Sequence, residues 1–175
     1  MMDLPGSLGQ GAIHFWRLDH QQYSATWNSG EGSYRYGGRW NSPGVRAVYC
    51  SLDPSTAVFE VAAHKGLNAL NCVPHVLTRA TVARSHVINV IRHPQIPNSN
   101  WLMPTAVSGG QQQFGDNLLQ QHGAIIIPST VSRQAWNLIF IVTQPRDPGR
   151  ELVESVRLSF WVDVVGQGPV SGACA

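Results

Sequence analysis

Residues 36–60 of the chain read YGGRWNSPGVRAVYCSLDPSTAVFE. Glycine pairs and a Pro-Gly step predict a loop over residues 37–44. Residues Val45 to Ser51 are rich in β-branched and aromatic side chains, which predicts a strand. Asp53 and the proline after it are typical of a helix start, and Gly66 predicts the end of that helix. The order loop, strand, helix is the frame for the rest of the chain.

Glu60 lies in the middle of the predicted helix, among apolar neighbours. A carboxylate is costly to bury unless partners satisfy it, and one near an arginine-bearing loop is a candidate functional group. The alternative is that Glu60 points to water from the outer face of the helix and pairs with His64 one turn on. The residues alone leave both interpretations open.

Length and composition predict a single intracellular domain. The 175 residues suffice for one hydrophobic core. We expect a loose N-terminal segment over 1–11, a domain over 12–165 and a flexible tail over 166–175. The N-terminus lacks a signal-peptide pattern, and no apolar run approaches the ~20 residues of a membrane helix. A cytoplasmic location follows as the expectation.

Charge and cysteine usage exclude several classes of protein. Charged residues make up 13% of the chain, the net charge is +2, and Lys65 is the single lysine. Without a basic cluster, direct binding of nucleic acid or of a membrane surface is not indicated. The three cysteines are widely spaced, which fits a reducing cytosol better than a disulfide framework.

The remaining patterns predict an α+β fold, with twisted mixed or antiparallel sheets and a few helices around a cleft. The predicted strands are 12–18, 72–79, 85–91, 124–127, 136–143 and 156–163. A further helix is predicted over 111–122, and residues 19–36 and 93–104 are predicted to be irregular. The aromatic residues of the first irregular segment either line a pocket or pin the segment to the core: Tyr23, Trp27 and Tyr34.

Common catalytic and cofactor motifs are missing. The seven histidines show no metal-ligand spacing, so no metal site is expected. The sequence has no phosphate-binding P-loop motif, and no Gly-x-Gly-x-x-Gly stands at the start of a predicted helix. Gly-x-Ser-x-Gly is also absent, which leaves a serine hydrolase unsupported. Ser129 follows an apolar strand, where it is either a site residue or an ordinary turn serine.

A set of five residues remains as the candidate site: Arg17, Arg39, Tyr49, Glu60 and Ser129. Guanidinium groups suit a pyrophosphate, because they can bridge two oxygens. A tyrosine ring stacks on a flat heterocycle. A carboxylate stabilises a developing oxocarbenium ion or orients a nucleophile on a ribose. Together these groups suit cleavage of an N-glycosidic bond in a dinucleotide.

The same residues carry a resemblance to a known family, the RES-domain toxins of bacterial toxin–antitoxin pairs. The resemblance covers roughly Phe15 to Asp163. It rests on Trp16-Arg17-Leu18, Gly37-Gly38-Arg39-Trp40-Asn41-Ser42-Pro43-Gly44, Val48-Tyr49-Cys50-Ser51, Ala57-Val58-Phe59-Glu60, Gly115-Asp116, Ile127-Pro128-Ser129-Thr130-Val131 and Asn137. The family usually continues beyond the equivalent of Asn137 to an Asn-Pro pair, which is absent here.

The resemblance implies a fold similar to ADP-ribosyltransferase toxins and NAD as the substrate. It implies hydrolysis or phosphorolysis of the nicotinamide–ribose bond, and a helix-turn-helix antitoxin that blocks the cleft. By position, Glu60 and Arg39 are the implied catalytic residues, and Arg39 also binds the pyrophosphate. Tyr49 packs on the nicotinamide or its ribose, and Ser129 lines the pocket. Arg17 is a second phosphate-binding or site-stabilising arginine.

Other functions stay open at the level of the sequence. The same site suits a transferase that places ADP-ribose on a protein or a small molecule. An inactive NAD-binding module is the alternative from another class, favoured by the altered sequence after Asn137. A nucleic-acid-cleaving toxin is disfavoured by the low charge. A homodimer is the default expectation rather than a deduction.

Overall fold

A computed structural model describes residues 12–82, 88–103, 107–142 and 153–160, the last of these by its backbone. Seven strands are present in these ranges: β1 (Ile13–His20), β2 (Ala47–Ser51), β3 (His75–Val82), β4 (Asn89–Val90), β5 (Ala124–Pro128), β6 (Trp136–Ile141) and β7 (Val153–Phe160). The α-helices are α1 (Glu31–Tyr36), α2 (Pro54–Lys65), α3 (Leu67–Cys72) and α4 (Gly109–His122). Short 3₁₀ helices span Gln21–Thr26 and His93–Gln95.

The strands form one mixed sheet in the order β4-β5-β6-β2-β1-β3-β7. Its neighbouring strands are antiparallel, except that β4 and β5 run parallel. The predicted α+β class is therefore confirmed. Strand β2 occupies the centre, between β6 and β1, so the stretch that organises the sequence also organises the sheet.

Helix α2 begins and ends where its sequence predicts. The Asp53 side chain accepts a hydrogen bond from the Thr56 backbone N–H at 2.8 Å, which caps the helix. Gly66 ends it with a φ of 83° and donates its N–H to the Ala62 carbonyl. The buried residues of the helix, Thr56, Ala57 and Ala62, face the sheet.

Helices α2 and α4 pack on the same face of the sheet. Alternate residues of each strand point to opposite faces, so Tyr49 and Ser51 share a face while Val48 and Cys50 share the other. Tyr49 packs in one cluster with Leu119 of α4, and Trp16, which pairs with Ser51, packs in a cluster with Ala57 of α2. Polar side chains on this face of β2 consequently lie beneath α2.

Two segments differ from the prediction. Residues 19–36, predicted to be irregular, contain a 3₁₀ helix and α1. Glu31 pairs with Arg35 one turn on, and the Ser33 hydroxyl donates to the Ala47 carbonyl, so contacts outside the local pattern stabilise α1. Residues Leu67–Cys72 form α3, which the sequence analysis missed. Of the aromatic side chains in the first segment, Trp27 is buried and pins that segment to the core.

Several predictions fall outside the described residues: the segment 1–11, the tail 166–175 and part of the strand 85–91. The division into these segments stays a prediction. Cys50 is buried and its thiol is free, and the expectation against a disulfide framework stays a prediction. Within the described ranges, no helix is both long and apolar enough to cross a membrane.

Candidate functional site

Three neighbouring strands bring polar side chains into one row beneath α2. Ser51 of β2 pairs with Asn137 of β6, and Asn137 pairs on its other side with Ile127 of β5. Directly paired residues carry their side chains on the same face of a sheet. The Ser51 hydroxyl donates to Asn137 Oδ1 at 2.8 Å. Ser129, two residues after Ile127, completes the row at the end of β5.

The carboxylate of Glu60 meets this row from α2. Its Oε1 accepts hydrogen bonds from Asn137 Nδ2 at 2.6 Å and from Ser129 Oγ at 2.7 Å. Its Oε2 lies 3.7 Å from His64 Nε2, and the Glu60 side chain is 18% exposed. Glu60 thus faces the sheet rather than the water, and the pairing with His64 is present as well. We call Glu60, Ser129, Asn137 and Ser51 the carboxylate cluster.

A cleft of about 210 Å³ opens beside the carboxylate cluster, between α2 and the sheet. Three of the five predicted site residues line it: Arg17, Tyr49 and Glu60. Ser129 is fully buried and reaches the cleft through its contact with Glu60. Among the described residues, no three His, Cys, Asp or Glu side chains are grouped to hold a metal ion.

The loop over residues 37–44, the arginine loop, carries Arg39. The Arg39 guanidinium is largely buried, and its Nη1 donates to the carbonyls of Trp101 at 2.9 Å and Met103 at 3.0 Å. Burial lowers the pKa of the Arg39 guanidinium, and the opposing influence of the Glu60 carboxylate raises it. Arg39 and Glu60 therefore act on each other electrostatically.

Tyr49 connects the arginine loop to the cleft. Its hydroxyl donates to Asn41 Oδ1 at 2.6 Å and accepts from the Trp40 backbone N–H at 3.1 Å. Burial raises the pKa of the Tyr49 phenol well above its ordinary value, so the hydroxyl stays protonated. The hydroxyl is used to hold the loop, and Tyr49 is also among the residues that line the cleft.

Arg17 is tied to the protein by both arms of its guanidinium. Its Nε and Nη2 pair with the Asp19 carboxylate at 2.8 to 3.0 Å, and its Nη1 donates to the Tyr49 carbonyl at 2.8 Å. Burial raises the pKa of Asp19, and the charge of Arg17 lowers it. With its charge balanced by Asp19, Arg17 is better suited to stabilising the site than to binding a phosphate.

The RES domain family matches residues 14–163 of the chain. The chain belongs to the RES domain family. A relative named Toxin Res, from Photorhabdus laumondii subsp. laumondii, is 43% identical over 150 residues, which are 85% of this chain and 93% of the relative. The family predicted from the Gly-Gly-Arg-Trp-Asn block and the spaced Tyr49 and Glu60 is therefore confirmed.

A solved structure shares the fold of this RES-domain chain. It is the crystal structure of the M. tuberculosis MbcT-MbcA toxin-antitoxin complex, which superposes with a TM-score of 0.67 over 91% of this chain and 94% of the matched chain. Sequence identity in that comparison is 19%, so the likeness establishes the fold. This chain therefore shares its overall fold with the matched chain.

The sequence did not lead us to predict two members of the carboxylate cluster as site residues. Ser51 and Asn137 were noted as parts of the resemblance, but neither was assigned to the site. Their contact depends on the strand register that pairs β2 with β6, across 86 residues of sequence. The available signal was a polar residue at each of two positions in otherwise apolar strands.

Proposed function

We propose that this RES-domain protein is the toxin of a toxin–antitoxin pair and that it cleaves the nicotinamide–ribose bond of NAD. The observation that carries the proposal is the Glu60 carboxylate, held at 2.6 and 2.7 Å by Asn137 and Ser129 at the edge of the cleft. A fixed carboxylate beside a cleft is the group that cleavage of an N-glycosidic bond requires. Family membership and the name of the Photorhabdus relative support the same function.

The size of the cleft fits one end of the dinucleotide. About 210 Å³ is below the ~300–1,000 Å³ of sites that enclose drug-sized ligands. In the proposed complex, the nicotinamide and its ribose enter the cleft, and the rest of NAD lies along the surface outside it. The Tyr49 side chain then forms one wall for the nicotinamide.

Glu60 would act on the charge that appears as the bond stretches. The pyridinium of NAD leaves as neutral nicotinamide, and positive charge passes to the ribose ring. An ionised carboxylate beside the ring stabilises this charge, or orients a ribose hydroxyl or the incoming water or phosphate. Arg39 supplies a positive charge for the pyrophosphate in this scheme. Its fixed Nη1 contacts would keep the guanidinium in place before substrate arrives.

The first experiment follows NAD and free nicotinamide over time with purified protein, in the presence and absence of phosphate. We expect nicotinamide to appear, and the phosphate dependence distinguishes phosphorolysis from hydrolysis. Glu60→Gln keeps an acceptor oxygen for Ser129 and Asn137 but removes the charge, so the rate should fall by ~10²–10³. Glu31→Gln, a second glutamate on α1 away from the cleft, is the matched control and should turn over like the wild type.

Three results would each contradict a part of this proposal. Wild-type turnover in Glu60→Gln would remove the catalytic role of Glu60. Intact NAD in every sample would favour an inactive binding module, whereas ADP-ribosylated species found by mass spectrometry of a treated lysate would favour the transferase.

The proposal includes a helix-turn-helix antitoxin that covers the cleft. The matched M. tuberculosis structure is itself a toxin-antitoxin complex, which supports an antitoxin partner. In this proposal the loss of NAD arrests growth, and the protein acts in the cytoplasm. An antitoxin that copurifies with the chain and suppresses nicotinamide release would support the partner. Full activity in the presence of the bound antitoxin would contradict blocking of the cleft.

A further inference from the structure

A chain of side-chain hydrogen bonds runs from strand β2 to the carboxylate of Glu60. An ionised carboxylate can accept hydrogen bonds but cannot donate them, so the Asn137 group that faces it must be the Nδ2 amide donor. This orientation turns Asn137 Oδ1 toward Ser51, whose hydroxyl must then donate, as it does at 2.8 Å. The hydrogen bonds of this series therefore all run in one direction: Ser51 donates to Asn137, and Asn137 donates to Glu60.

The two carboxylate oxygens of Glu60 have different surroundings. Oε1 receives both short hydrogen bonds, from Asn137 and Ser129. Oε2 lies 3.7 Å from His64 Nε2, which is beyond ordinary hydrogen-bond length, and the His64 side chain is 58% exposed. The arrangement therefore anchors Oε1 in the protein and leaves Oε2 beside His64, an exposed residue that also lines the cleft.

The anchoring residues lie on rigid elements. Ser51 is 3% exposed, and both Ser51 and Asn137 belong to paired strands at the centre of the sheet. Their neighbours along the strands are apolar: Cys50, Leu138 and Ile139. Burying the Ser51 hydroxyl and half-burying the Asn137 amide beside apolar side chains costs free energy that packing alone would not require. Orienting the carboxylate of Glu60 accounts for this cost.

We propose that Ser51 and Asn137 are positioning residues that hold Glu60 with Oε2 facing the substrate. Asn137 orients the carboxylate directly, and Ser51 orients the amide of Asn137. The proposal rests on the proposed NAD cleavage, because the substrate defines which oxygen reacts. Both residues also line the cleft beside Glu60. In this scheme they act on the carboxylate rather than on the substrate, so the loss of either should lower kcat more than it changes KM.

The test compares kcat and KM for NAD in Ser51→Ala, Asn137→Ala and the double variant. A carboxylate misplaced by about 1 Å can cost ~10²-fold, so we expect kcat to fall by roughly 10- to 100-fold with KM changed less than about threefold. The double variant should be no slower than Asn137→Ala, because Ser51 acts through Asn137. Ser51→Thr keeps the hydroxyl and should retain a kcat near that of the wild type.

Thr78→Val is the matched control for removing a buried hydroxyl from the sheet. Within the described part of the chain, the Thr78 hydroxyl is buried and has no hydrogen-bond partner, so its loss should leave kcat and KM unchanged. Thermal unfolding of every variant shows whether it is folded. If Asn137→Ala does not fold, Ser51→Ala, which loses a single oxygen atom, decides the matter together with its rescue by threonine.

Crystal structures of the same variants separate this proposal from the proposed function. Wild-type kcat in folded Ser51→Ala and Asn137→Ala would overturn the positioning role while NAD cleavage stands. A wild type that releases no nicotinamide would overturn the function instead. In that case the position of the Glu60 carboxylate decides: an unmoved carboxylate in both variants overturns the positioning role, and a displaced one supports it.

Discussion

The arginine loop and the carboxylate cluster belong to one candidate site, but helix α4 contacts the backbone of the loop, whereas the members of the cluster contact one another through their side chains. The Gly38 carbonyl accepts a hydrogen bond from Gln112 Nε2 at 2.9 Å, and the Ser42 N–H donates to the Asp116 carboxylate at 3.1 Å. Both partners belong to α4. Helix α4 and the residues beside it therefore hold the backbone of the loop in one conformation.

The carboxylate cluster has the opposite construction, because its contacts join one side chain to another. Its geometry depends on which atoms donate and which accept, and little on volume. The comparison predicts different sensitivities. A methyl group added next to the arginine loop should disrupt it, whereas the cluster should respond to the loss or exchange of single polar atoms.

Gly115→Ala is expected to break the arginine loop and to have the largest effect on stability. A Cβ at position 115 would lie 2.0 Å from the Trp40 carbonyl oxygen, and backbone atoms cannot move aside as a flexible side chain can. We expect the free energy of unfolding to fall by about 3 kcal/mol, the upper range for overpacking. Denaturant unfolding measures this change.

Gly109→Ala in the same helix is the matched control for Gly115→Ala. A Cβ there meets no atom within 4 Å, and alanine is the better helix former by up to about 1 kcal/mol. Gly109→Ala should consequently be neutral or stabilising. If both variants unfold at the same denaturant concentration, α4 does not clamp the loop.

Tyr49→Phe sharpens the comparison, because Tyr49 serves both regions. Removing the hydroxyl leaves the Trp40 N–H and Asn41 Oδ1 without this partner, which should cost about 2 kcal/mol of stability. The substitution leaves every other atom of Tyr49, a residue that lines the cleft, unchanged, so the KM for NAD should change little. Unfolding and steady-state kinetics on one preparation separate the two effects.

Tyr23→Phe, at an exposed tyrosine, should change neither stability nor KM. A KM for NAD that rises sharply in Tyr49→Phe at unchanged stability would contradict the division of roles, since the hydroxyl would then bind substrate rather than hold the loop.

Local signals in the sequence predicted the parts of the fold that depend on neighbouring residues. Asp53 and Gly66 marked α2 because capping and helix termination need only a few residues in sequence. The same limit explains the misses. Helix α1 depends on Ser33 reaching the Ala47 carbonyl, a contact that propensity cannot foresee. Helix α3 is short and carries no charged or capping side chain as a signal.

The same difference, between local sequence signals and contacts between distant residues, separates the site residues that were predicted from those that were missed. Glu60 and Ser129 were predicted together through the family resemblance, and the structure joins them at 2.7 Å. Ser51 and Asn137 were missed as site residues, because their contact follows from strand register. A shift of one residue would turn both side chains to the other face of the sheet. Arg17 was predicted without Asp19, the partner that balances its charge.

His64→Gln tests the open side of the carboxylate cluster and should have the smallest effect. The pair with Glu60 is long and His64 is mostly exposed, so its contribution to stability should be within ~0.5 kcal/mol. If Oε2 acts on the substrate directly, turnover should change by less than about threefold, a difference of some 0.6 kcal/mol in the barrier.

His122→Gln, at the end of α4, is the control for loss of a surface histidine. A fall in kcat in His64→Gln as large as that in Asn137→Ala would show that His64 takes part in the reaction. The two oxygens of Glu60 would then both be held by the protein, one from the sheet and one from α2.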